Sequence, residues 1–115
     1  MIRSVPPLPA ATAERIADTM FALSTPSRLQ ILVCLRPEAR TVSEIVAAVG
    51  MEQSAVSHQL RVLRDHSVVS MRRVGRTRRY ALSNDHVGAL IDDALEHIRA
   101  LERSRARERS EAQAG

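Results

Sequence analysis

The stretch Gln53-Ser-Ala-Val-Ser-His-Gln-Leu-Arg-Val-Leu-Arg64 gathers side chains suited to one chemistry. At helical spacing, Ala55, Val56, Leu60 and Leu63 fall on one side and Gln53, Ser54, Ser57, His58 and Arg61 on the other. Amide and guanidinium groups hydrogen-bond base edges in a major groove, and hydroxyl and imidazole groups reach phosphates or bases. A few residues on, Met71–Tyr80 carries Arg72, Arg73, Arg76, Arg78 and Arg79 around Val74-Gly75, a natural hairpin turn. The two segments read as a recognition helix followed by a basic wing. Gln53, Ser54, Ser57, His58, Gln59 and Arg61 are expected to supply most groove and backbone contacts. Arg72 and Arg73 add charge along the hairpin, and Arg76 and Arg78 at its tip are expected to reach phosphates or the adjacent minor groove. A polar helix face alone would serve equally as a solvated surface; the wing and the local charge decide for double-stranded DNA.

That charge is uneven. The 115 residues carry 17 Lys+Arg against 13 Asp+Glu, a net +4, and every basic residue is arginine. Between Gln53 and Leu82, seven arginines stand against Asp65 alone, seven minus one, or +6, the electrostatic footprint of a duplex binder. Aromatic residues make up only 2%, which suits packed helices and argues against a stacking platform for single strands. No apolar run approaches the roughly 20 residues that span a bilayer. Met1–Ala10 holds one arginine and three prolines and lacks the apolar core of a secretory signal. The single Cys34 cannot form an internal disulfide. A cytoplasmic protein without a membrane partner is expected. Cys34 lies among Ile31, Leu32, Val33 and Leu35 and reads as a small buried hydrophobe. With no glycine-rich phosphate loop and no other activated nucleophile, the chain does not read as an enzyme.

The elements that must position these residues are legible in turn. Residues 1–10 read as a disordered arm. A helix over Ala11–Leu23 spaces Ile16, Met20 and Leu23 on one side. Thr25 and Pro26, a cap and a first helical residue, open a second helix that buries Leu29, Ile31, Leu32 and Leu35 and stops at Arg36-Pro37. Thr41-Val-Ser-Glu44 is a capping box for a short third helix ending at Gly50, and a tight turn leads into Gln53–Asp65. Strands follow over Val68–Arg72 and Arg78–Leu82, then a last helix from near Ser83 to at least Leu101. The fold expected for residues 11–102 is a mainly α winged helix-turn-helix. Residues 103–115 are expected to form a flexible charged tail, helical for a turn or two at most.

Thr25-Pro-Ser-Arg-Leu-Gln-Ile-Leu32, the Gln53–Arg64 segment and the arginine-rich wing resemble the ArsR/SmtB family of bacterial metal-responsive repressors, over roughly Ala11–Leu101. Within that family the chain is most similar to the actinobacterial nickel/cobalt sensors, which place ligands on the last helix. The recognition-helix segment is the specific part of the signal. The resemblance implies a homodimer held by the first and last helices, an inverted-repeat operator, and a metal that weakens DNA binding and turns transcription on. One departure stands out: the turn after the recognition helix, often glycine in the family, is His66-Ser67 here. A left-handed Ser67 would cost about 1 kcal/mol relative to glycine.

The resemblance also directs attention to metal ligands. The third and fourth helices hold no cysteine, so the family's thiolate site is absent. On the last helix His86 and His97 stand 11 residues apart, within about 20° of alignment but about 16 Å apart along the axis. One helix cannot bring both to one ion. Two antiparallel copies could set His86 beside His97 of the partner subunit, and symmetry would make two such sites. Val87, Leu90, Ile91, Ala94, Leu95, Ile98 and Leu101 form an apolar stripe, with His86, Asp93 and His97 along one edge. The family pattern is an Asp, a His soon after, a further His, and a His or Glu three residues beyond. Here those places hold Asn84, His86, His97 and Ala100. Asn84 is a weak oxygen donor and Ala100 offers nothing, so Asp85, Asp93, Glu96 or water would have to compensate. Nitrogen and oxygen donors without thiolate suit Ni(II) first, with Co(II) or Zn(II) as alternatives. The competing reading is a regulator whose metal site has decayed and which answers to another ligand or a protein partner.

Overall fold

The computed structural model describes residues 5–114. Their order is α1 (Ala10–Ala22), α2 (Pro26–Leu35), α3 (Val42–Val49), α4 (Gln53–Asp65), β1 (Val69–Val74), β2 (Thr77–Leu82) and α5 (Asp85–Ala114), a mainly helical winged helix-turn-helix. The chain divides after Ser83 into two units.

In the first unit the caps act where the sequence puts them. The Thr25 hydroxyl accepts the Arg28 N–H at 3.3 Å, with Pro26 at the first helical position. Thr41 and Glu44 close both bonds of the capping box on α3. Gly50 ends α3 in the left-handed conformation, φ 71°, and turns the chain toward α4. The end of α4 is a Schellman motif: the Val68 N–H reaches the Leu63 carbonyl at 3.0 Å and the Ser67 N–H reaches the Arg64 carbonyl at 2.9 Å. Ser67 holds φ 59°, so the cost of a left-handed serine falls on this turn.

The core joins α2, α3, α4 and the hairpin through Ile31, Leu32, Leu35, Ile45, Val56, Leu60, Leu63, Val68, Val69 and Tyr80. Ala55 is only half-buried. Leu29, expected inside, is 40% exposed. The inward face of α2 follows the spacing Arg28, Ile31, Leu32, Leu35, which turns Leu29 and Val33 outward. On α1 only Ala22 is buried, and Ile16, Met20 and Phe21 are exposed.

The strands are longer than expected and pair antiparallel from Val69↔Leu82 to Val74↔Thr77. Only Gly75 and Arg76 remain to turn, with Gly75 at φ 61° in the first central position, where such a hairpin calls for glycine. A short third edge was not legible in the sequence: Arg40 and Tyr80 exchange both backbone hydrogen bonds, at 2.9 and 2.8 Å.

The second unit is α5. Asn84 caps it, its Oδ1 accepting the Val87 N–H at 3.1 Å. Val87, Gly88 and Ile91 are buried; Leu90, Leu95, Ile98 and Leu101 are exposed. Where a flexible tail was expected over residues 103–115, the helix continues to Ala114. Arg, Glu and Ala are strong helix formers, and the Glu96–Arg103 ion pair at 2.7 Å braces the middle of the helix. Of the expected N-terminal arm, residues 1–4 lie outside the described residues; α1 begins at Ala10 behind Pro9.

Candidate nucleic-acid interface

The two faces of α4 divide by burial. Val56, Leu60 and Leu63 enter the core, while Gln53, Ser54, Ser57, His58 and Arg61 are exposed. Arg72, Arg73, Arg76 and Arg78 are exposed on the hairpin.

Gln59 departs from expectation. It is half-buried and turned toward α2: its Nε2 donates to the Ser27 hydroxyl at 3.2 Å and its Oε1 accepts from Arg28 Nη1 at 3.5 Å. Gln59 lies next to the buried stripe of α4 and its amide is engaged inside the protein, apart from the fully exposed side chains of the helix. Its partner Arg28 is only 8% exposed, and Nη2 donates to the Phe21 carbonyl at 3.4 Å, while Nε is buried with no hydrogen-bond partner. A buried guanidinium thus joins the end of α1 to the inner edge of α4. Arg28 occupies a place in an i, i+3, i+4, i+7 stripe that otherwise calls for an apolar residue, the one sign of it in the sequence.

Arg79 is also drawn inward, its Nη1 3.5 Å from Glu44, which Arg40 approaches at 3.8 Å. Arg78, its neighbour on β2, helps line a cleft of about 250 Å³ with Val42, Ser57, Arg61, Arg64 and Tyr80. Arg64 is a functional candidate that side-chain chemistry alone had not singled out. The spacing Ser57, Arg61, Arg64 is i, i+4, i+7, which places all three on the wing-facing edge of the helix.

Elsewhere in the first unit, Cys34 is half-buried and burial pushes its thiol above the ordinary range, partly offset by Arg40. His66 is exposed at the end of α4, its Nδ1 donating to the Val62 carbonyl at 2.9 Å.

The candidate ligands of the second unit, Asn84, Asp85, His86, Asp93, Glu96 and His97, are all exposed. Among the described residues no three His, Cys, Asp or Glu side chains gather as an ion would require, so one chain does not bring these candidates together. Asn84 Oδ1 is engaged as the helix cap. Arg103 hydrogen-bonds Glu96 and holds its carboxyl below the usual range.

A short helix and tight turn leading to an amphipathic helix with a polar outer face, followed by an arginine-rich hairpin, define a winged-helix DNA-binding regulator rather than an enzyme. Residues 25–70 match the model of the bacterial regulatory protein arsR family. The chain is 50% identical over 91 residues to the HTH-type transcriptional regulator NmtR of Mycobacterium tuberculosis, covering 79% of this chain and 76% of that protein. It belongs to the arsR family. The solution structure of apo-NmtR superposes with a TM-score of 0.68 at 47% identity, over 84% of this chain and 82% of that one. A homodimeric winged helix-turn-helix DNA-binding domain from Mycobacterium bovis, a possible ArsR-family regulator, gives 0.71 at 33% identity, over 82% and 85%. Among the described residues no helix is long and apolar enough to cross a membrane.

Proposed function

We propose that the protein is a homodimeric, metal-responsive transcriptional regulator that binds an inverted-repeat operator through α4 and the wing, with nickel as its signal. The DNA-binding part rests on one observation: an exposed polar face on α4 beside a hairpin whose Arg72, Arg73, Arg76 and Arg78 all face solvent. A second copy is called for by the apolar residues left uncovered on α1 and α5, Ile16, Met20 and Phe21 on one and Leu90, Ile98 and Leu101 on the other. The homodimeric relative supports the same arrangement.

The donors present fit a divalent ion in kind. His86 and His97 are exposed imidazoles near the apolar stripe of α5, and Asp85 and Asp93 offer carboxylate oxygen. Their separation along one helix means that His86 would share an ion with His97 of the partner subunit. An ion held there would link the two last helices and so bias the spacing of the two recognition helices. The engagement of Asn84 as a cap and of Glu96 with Arg103 favours a second reading, a regulator of the same build that answers to a different signal.

Calorimetric titration of Ni(II), Co(II) and Zn(II) into the metal-free protein and into His86→Ala/His97→Ala separates the two. Micromolar or tighter binding that disappears in the variant is expected, with Ni(II) tightest. Equal binding by both proteins, or by neither, overturns the metal assignment and leaves the DNA-binding one standing.

A further inference from the structure

Resting on the DNA-binding reading above, we propose that the cleft between α4 and β2 is a phosphodiester clamp: Arg61, Arg64 and Arg78 together hold one backbone phosphate in each half-site. Arg64 is the residue this adds to the interface.

Three arginines from two elements line one cleft of about 250 Å³ with the Ser57 hydroxyl. The side chains of Arg61, Arg64 and Arg78 have no ion pair or hydrogen bond to any described residue. The acid of α3, Glu44, is approached by Arg40 and Arg79 instead. Like charges brought together without a counterion repel one another, and an anion relieves that repulsion. The planar fork of arginine matches two oxygens of a phosphate. Val42, the first residue of α3, lines the same cleft.

The occupant is a duplex phosphate because of what flanks the cleft. Ser54 and His58 are exposed on the same helix, roughly 70° round from the Ser57–Arg61–Arg64 edge at 100° per residue. A phosphate seated in the cleft sets the roll of α4 about its axis and leaves Ser54 and His58 toward the base edges. Arg78 then acts as part of the clamp, and Arg76 at the turn is left as the wing's outward contact.

Binding of a mixed-sequence duplex across a salt series, by fluorescence anisotropy, tests the clamp with the full-length protein, Arg64→Gln, Arg64→Lys and Arg76→Gln. Arg64→Gln should weaken binding about threefold to tenfold on every sequence and lower the salt slope by about one per half-site. Arg64→Lys, which keeps the charge without the fork, should restore the slope but only part of the affinity. Single neutral methylphosphonates scanned through a selected operator should reveal one position per half-site that costs the parent protein at least as much as Arg64→Gln does, and costs Arg64→Gln less than it costs the parent. Parent-like affinity and slope in Arg64→Gln, a loss confined to particular sequences, or full additivity at every position overturns the clamp. Failure of the parent protein to bind duplex at all overturns the DNA-binding reading instead. The Arg64 side chain is exposed and without partners among the described residues, so its variants should keep the parent's circular dichroism and melting temperature, and that check separates a folding loss from a binding one.

Discussion

Two residues of α4, one position apart, act in opposite directions. His58 faces out from the recognition helix, and Gln59 faces in and hydrogen-bonds Ser27 and Arg28. Ser57→Ala with His58→Ala removes exposed groups only, so specific operator binding should be lost while the melting temperature stays near that of the parent. Unchanged operator affinity would remove α4 as the reading element. Gln59→Leu should do the reverse. It takes an acceptor from a buried guanidinium whose Nε already lacks one, at a cost of about 1–3 kcal/mol measured by urea unfolding. Its sequence preference, read from a library of randomised operators, should not change; a changed preference would return Gln59 to the groove. The side-chain chemistry of Gln59 is equally suited to adenine and to Arg28. Its angular position, next to Val56, Leu60 and Leu63, brings it beside Arg28.

Among elements, local chemistry carried most of the information. Caps at Thr25 and Thr41 and the glycine stop at Gly50 are each set by a residue and its near neighbours, and each stands where the sequence placed it. The exceptions depend on partners distant in the chain. Arg40 joins Tyr80 as an added sheet edge, and Arg28 takes an inward position that pattern alone assigns to an apolar side chain. Ser67→Gly should stabilise the protein by about 1 kcal/mol, since glycine adopts φ 59° without the steric cost of a Cβ. Chemical denaturation measures it, and an unstabilised variant would mean that this turn is not strained. Arg76→Ala at the hairpin tip should weaken binding to all sequences and flatten the salt dependence. A change confined to sequence preference would make the wing a base reader.

At the scale of the whole molecule, the apolar residues left exposed on α1 and α5 call for a second chain. Leu90→Glu with Ile98→Glu places two charges in the uncovered stripe of α5. Sedimentation should then show a monomer, and operator affinity should fall by orders of magnitude because two linked half-sites become one. A variant that stays dimeric would move the interface elsewhere. Why the metal candidates remain a proposal is also a matter of scale: His86 and His97 are each legible, but a shared ion depends on how two copies meet, which the sequence of one does not encode. Tyr80 has a use of its own. It is the single tyrosine of a chain without tryptophan, buried in the core of the first unit beside the three-arginine cleft. Tyrosine emission from the unlabelled protein therefore comes from one ring, in the unit that carries the proposed DNA interface. An optical titration would report what happens at that cleft, with no tyrosine or tryptophan on α5 to add background.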